Sequence, residues 1–121
     1  MKPTIVLLLL ASIAVACTPQ PAPGPEFPPD VEAALVTAFP EDGLHATARC
    51  IVRKESGGNR YATNGQYRGL AQLGSNYNGS ISVTNDGDVF TALTNLLVAR
   101  QIFDARGNWS AWAVAGACGV R

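Results

Sequence analysis

The chain has 121 residues, 15% of them charged, and a formal net charge of zero, so it offers neither the basic field that draws a protein to nucleic acid nor an acidic tail. Within 30–121, Lys54 and seven arginines balance eight carboxylates, and no internal repeat, metal-ligand cluster or glycine-rich phosphate loop is present. These features point to one small domain working as a monomer, with no cofactor, no metal and no nucleic-acid partner.

After Lys2 comes an apolar run over 5–16, IVLLLLASIAVA, too short to cross a bilayer as a helix of about 20 residues. It reads as an export signal, with small Ala14 and Ala16 placed ahead of a cut before Cys17. The arrangement resembles a bacterial lipoprotein signal. That resemblance implies removal of 1–16 and acylation of the Cys17 thiol, with chains such as palmitate, so that the exported protein is held at a membrane facing the cell wall or periplasm. The alternative is an ordinary signal peptide that leaves Cys17 as a free thiol. With Cys17 committed to lipid, Cys50 and Cys118 can pair, and the other reading is two buried thiols. A bridge between them would close a long loop, worth about 4 kcal/mol in the chain-entropy account.

Residues 18–29 read TPQPAPGPEFPP, where alternating prolines favour extended polyproline II over packed structure. This makes 17–29 a semi-rigid tether and 30–121 the folded domain, which can bury only about two-thirds of its surface.

Asp30 is placed to cap a helix through VEAALVTAF, which Pro40 ends because the residue before proline avoids helical angles. A second helix over 44–55 puts Leu44, Ala48, Ile51 and Val52 on one face, and Gly57-Gly58 stops it. The stretch 59–87 is rich in Asn, Gly, Ser and Tyr and predicts loops, with at most a small hairpin and an alternation at Ile81-Ser82-Val83. A third helix over 88–106 takes Asp88 as N-cap and turns Leu93, Leu96, Leu97 and Phe103 inward before Gly107. The tail NWSAWAVAGAC predicts one more short helix. The fold class is therefore mainly α, with a loop or short-hairpin region.

Glu55 stands out chemically. It follows an apolar-faced helix, and a carboxylate at a helix C-terminus meets the negative end of the macrodipole, which disfavours ionisation. If water is also excluded, both effects raise its pKa, as a general acid near neutral pH requires, whereas Arg53 and Lys54 oppose that rise if their charges reach it. A solvated glutamate at a helix end is the plainer alternative.

The run CIVRKESGGNRYATNGQYRGLAQLG resembles the signature of soluble lytic transglycosylases and their relatives in the lysozyme superfamily, including resuscitation-promoting factors. In those families a Glu-Ser pair ends a buried helix, an Asn follows, and a Gly-Leu-x-Gln motif comes about seventeen residues later. Here the matching residues are Glu55-Ser56, Asn59 and Gly69-Leu70-Ala71-Gln72, followed by Asn95 with Ala99 and by the aromatic segment around Trp109 and Trp112. The resemblance implies an α+β lysozyme-like fold over 30–121, with the loop or hairpin region lining a glycan cleft. It makes Glu55 the catalytic acid and then base, and it has Ser56 orient the site by hydrogen bonding. Gln72 and the backbone around Ala71 would contact an acetamido group, and Asn95 would brace the cleft. Ala71 stands where the family usually has Met or another bulky residue.

Cleavage of a glycoside normally needs two carboxylates, with substrate-assisted enzymes as the exception. Asp86 and Asp88 are the candidates for a second acid here, and each has a simpler reading, as a turn residue and a helix cap. The single-glutamate alternative lets the substrate's own N-acetyl group stabilise the oxocarbenium-like centre and leaves a 1,6-anhydromuramyl end. Tyr67 and Tyr77 could stack on sugars, Trp109 and Trp112 suit the core, and His45 suits the surface or a cap. The resemblance thus implies a lytic transglycosylase acting on peptidoglycan glycan strands. The alternatives are a hydrolytic muramidase, a non-catalytic peptidoglycan-binding lipoprotein, or a lipid-anchored partner of other wall enzymes.

Overall fold

The computed structural model of the chain describes residues 26–74 and 88–121. The expected export signal, Cys17, Tyr77, the alternation at 81–83 and Asp86 lie outside those residues. Within them the protein is mainly helical, with one small two-stranded sheet and one disulfide. No helix among the described residues is long and apolar enough to cross a membrane.

Helix α1, Pro29–Ala38, opens with proline in its first turn, where a missing N–H costs nothing. The Pro28 carbonyl accepts the N–H groups of Val31 and Glu32 at 3.0 Å each. Val31, Ala34, Leu35 and Ala38 form the buried stripe, and the helix stops at Phe39 ahead of Pro40. Asp30 is not the N-cap that the sequence suggested. It lies inside the first turn, and its carboxylate meets Arg60 at 2.9 Å. The core also reaches back past residue 30, because Phe27 is only 5% exposed and belongs to the same buried cluster as Val31, Leu35 and Ile51.

Helix α2, Asp42–Ser56, carries the expected face, with Ala48, Ile51 and Val52 buried and Leu44 partly so. His45 bridges the turn into it, with Nδ1 3.2 Å from the Phe39 carbonyl, in keeping with a capping role. Gly57 ends the helix at φ 63°, a left-handed conformation that glycine adopts without penalty.

The hairpin falls at 63–68. Strands β1, Thr63–Asn64, and β2, Tyr67–Arg68, pair antiparallel with Thr63 opposite Arg68 and Asn64 opposite Tyr67, and Gly65 makes the turn at φ 60°. Arg68 then exchanges backbone bonds with Leu73, 3.0 Å one way and 2.9 Å the other, which folds the intervening 69–72 into a tight loop.

Helix α3, Ala92–Arg106, starts four residues later than expected. Asp88 instead holds the turn before it, with Oδ1 accepting the Phe90 N–H at 2.8 Å and its carbonyl accepting the Thr91 N–H at 3.0 Å. The inward face is Ala92, Asn95, Leu96, Ala99 and Ile102, whereas Leu93 is 37% exposed and Leu97 and Phe103 sit at the margin of the core. Ala92 and Ala99 share this face with Leu96 and Ile102, and α1 makes its most extensive contact with α3.

The tail forms the expected short helix. It is a 3-10 helix, Ala113–Cys118, tied to α2 by the Cys50–Cys118 bridge with Cα atoms 5.8 Å apart. Trp109 and Trp112 are core residues, as expected. Ring centroids place Trp109 5.5 Å from Phe39, 4.5 Å from Phe103 and 5.6 Å from Trp112.

Candidate active site

Glu55 lies in the last turn of α2, on the face that buries Ile51 and Val52, because positions i−4 and i−3 share a side of a helix. Its residue is half-buried, and among the described residues its carboxylate has neither a hydrogen bond nor an ion pair. Burial pushes the carboxyl above its ordinary value, and the negative end of α2 acts in the same direction. The two neighbouring cations do not oppose this. The Arg53 guanidinium is bound to the Glu26 carboxylate, Lys54 is exposed, and burial is the cause of the Glu55 shift.

Ser56 fixes the turn that follows. Its hydroxyl donates to the Val52 carbonyl at 3.1 Å and accepts the Gly58 N–H at 3.2 Å. Asn59 acts locally as well, its Oδ1 accepting the Tyr61 N–H at 3.0 Å. Both residues therefore shape the backbone beside Glu55, and neither has its hydrogen bonds directed at the carboxylate.

The Gly-Leu-x-Gln segment is a scaffold built around Asn95. Asn95 is fully buried, its Oδ1 accepts the Ala71 N–H at 2.9 Å, and its Nδ2 donates to the carbonyls of Val89 and Arg68 at 3.0 and 3.3 Å. One amide thereby joins α3, the hairpin and the loop. Gly69, at φ 77°, lies against that amide, and a Cβ there would overlap Nδ2 and come within 2.7 Å of the Val89 carbonyl oxygen. Leu70 is fully buried in the core.

Ala71 departs from its expected role. Its N–H goes to Asn95, and its carbonyl accepts Trp112 Nε1 at 2.9 Å, so its backbone is committed internally rather than presented to an acetamido group. Leu70, Ala71 and Asn95, at 0%, 2% and 0% exposure, are buried and position the loop.

Gln72 remains as the half-buried polar group at the loop's end. It is the one described non-glycine residue at positive φ, 50°, and its Nε2 donates to the Ala62 and Gly69 carbonyls at 3.1 and 2.9 Å. With the donor end fixed, the amide oxygen is oriented as an acceptor. Nothing in the sequence indicated this strained backbone.

A shallow cleft of about 710 Å³ runs between the start of α1, at Pro28, Asp30 and Val31, and the turn at 57–61. It adjoins the turn after Glu55, but Glu55 does not line it. Tyr61, on its rim, is 62% exposed and lies under the Arg60 guanidinium, 4.7 Å from ring centroid to Cζ. Tyr67 is 44% exposed on the hairpin. Among the described residues no group of three His, Cys, Asp or Glu side chains could hold a metal ion.

No family model matches this chain, and no curated protein or solved structure matches it.

Proposed function

We propose that the protein cleaves the glycan strands of peptidoglycan as a lytic transglycosylase of lysozyme-like fold, with Glu55 as its acid and base. The observation that carries the reading is a half-buried carboxylate without a partner among the described residues, at the end of an apolar-faced helix, with its protonated form favoured by burial. A surface glutamate without a task would sit in water or pair with Arg53. The motif resemblance set out above names the substrate class, and the buried Asn95 amide supports it by giving a physical reason for the Gly-Leu-x-Gln segment to recur with an Asn on the next helix.

In this mechanism Glu55 donates its proton to the glycosidic oxygen as the C–O bond breaks. The neighbouring N-acetyl group of the sugar stabilises the positive centre, and Glu55 then takes the proton of the sugar's own 6-hydroxyl as that oxygen closes on C1. The proton count balances and no water is consumed. Asp88 is engaged in its turn with Phe90, which favours the single-acid route over a carboxylate pair involving that residue. Gln72 offers its amide oxygen to a substrate N–H or O–H. Export and lipid anchoring through Cys17 belong to the same proposal and would hold the enzyme beside its polymeric substrate.

The test is product analysis. Residues 26–121 incubated with purified peptidoglycan should release muropeptides with 1,6-anhydro ends, read by mass spectrometry. Reducing muramic acid ends would assign a hydrolytic muramidase instead, and binding without release would assign a non-catalytic wall lipoprotein.

A further inference from the structure

We propose that Glu26 and Phe27, which precede the first helix, form a clamp that positions the turn carrying Glu55, so that the segment leading into the domain is part of the catalytic apparatus. The inference rests on the function proposed above for Glu55. Its basis is a set of contacts between 26–32 and the last two turns of α2.

Phe27 is buried, and its ring lies directly against Gly58, three residues beyond Glu55. Gly58 is at φ 82°, and a Cβ built there would overlap the ring, with Cε1 at 3.0 Å and Cγ at 3.1 Å. The missing side chain is what lets the ring approach the turn. Phe27 is itself held by Glu32 and Arg49. Its N–H donates to Glu32 Oε1 at 3.1 Å, the Arg49 guanidinium sits 5.2 Å over its ring, and Arg49 is bound in turn to Glu32. One helical turn further on, Arg53 grips the Glu26 carboxylate, and Arg49 approaches the same carboxylate at 3.7 Å.

The arrangement has two effects on Glu55. It fixes the Gly57-Gly58 backbone onto which the helix ends, leaving that turn one packed position, and it commits Arg49 and Arg53 away from the carboxylate. Lys54, the remaining cation of that helix end, is exposed. Two arginines at i and i+4 facing one glutamate on each of two adjoining segments form a network, and the buried ring at its centre adds shape to charge. An isolated exposed ion pair would contribute little. Phe27 is thus a positioning residue acting through Gly58, and Pro28 beside it forms one wall of the 57–61 cleft.

The experiment uses the full chain, carboxyl-labelled with carbon-13, and follows the Glu55 carboxyl by NMR titration in wild type, Phe27→Ala, Gly58→Ala and the core control Ile102→Ala. Each folded variant is also assayed on peptidoglycan. The clamp predicts that the Glu55 midpoint falls toward its ordinary value in Phe27→Ala and Gly58→Ala, while Ile102→Ala lowers Tm without moving it. It also predicts kcat lower by about tenfold or more in those two variants at nearly constant KM, as small misplacements of a reacting group do. A midpoint unmoved in folded Phe27→Ala overturns the clamp. A wild type inert toward peptidoglycan, with the midpoint still moving in the variants, overturns the proposed function and leaves the clamp standing.

Discussion

Glu55 is the residue at which stability and the proposed chemistry pull apart. Its carboxyl is raised above an ordinary value near 4.5 by burial, so the folded protein binds this proton more tightly than the unfolded chain does. Above the raised value the ionised, desolvated carboxylate is a cost to folding, and that cost disappears as pH falls through it. Glu55→Gln should therefore have a higher Tm than wild type at pH 7, with the gap closing by about pH 4.5, as differential scanning calorimetry across pH would read. Glu26, Glu32 and Glu41 shift the opposite way, each held below its ordinary value first by an arginine, Arg53, Arg49 and Arg100 respectively. What they contribute is present at neutral pH and lost in acid, in both proteins alike, so the comparison isolates residue 55. Asn95 is the other decisive single residue. Asn95→Ala strands a buried N–H and two carbonyls, and should cost at least about 3 kcal/mol in urea unfolding. Trp112→Phe removes one donor to the Ala71 carbonyl and should cost about 1–2 kcal/mol.

At the scale of the element, the helices were legible where an apolar stripe, a proline and a glycine agreed. In α2 the stripe and Gly57-Gly58 located the end of the helix and with it Glu55, and in α1 Pro40 located the stop. The start of α3 was misread because Asp88 has the chemistry of an N-cap, yet serves the turn four residues earlier. Its stripe was read correctly at Leu96 but not at Leu93, which outranks Ala92 in hydropathy although Ala92 is the residue that faces the core. The tail forms the short helix expected of it, and the Cys118 bridge and the Trp112 bond to Ala71 go with its tight 3-10 path. In the site, the position of Glu55 at the end of α2 could be read from the sequence, whereas the hydrogen bonds of Asn95, the commitment of Ala71 and the positive φ of Gln72 depend on contacts far away in sequence. Gly69 ties these levels together, and Gly69→Ala should be destabilising by several degrees in Tm because its Cβ has no room beside Asn95 and Val89.

For the whole molecule, two fastenings hold a small core together, one at each end of the described chain. The Cys50–Cys118 bridge spans 68 residues, and Cys50→Ser with Cys118→Ser should cost about 2–4 kcal/mol, lowering Tm by roughly 4–8 °C for each kcal/mol. The N-terminal fastening is Phe27, a lone aromatic among prolines whose role the Pro-rich composition concealed; the tether was expected to continue through residue 29, yet Phe27 is part of the core. Residues 26–121 should accordingly unfold at a higher temperature than 30–121 in parallel thermal melts. Both fastenings converge on α2, whose last turn carries Glu55, which is the organisation expected if that carboxyl must be held in place during a reaction.

The most direct measurement compares wild type with Glu55→Gln on purified peptidoglycan, with circular dichroism establishing that both are folded. The account predicts soluble anhydro-muropeptides from the wild type and a rate at least about 100-fold lower from the Gln variant, which keeps the shape and loses the proton. Equal release by the two proteins, or none by the wild type, would contradict it.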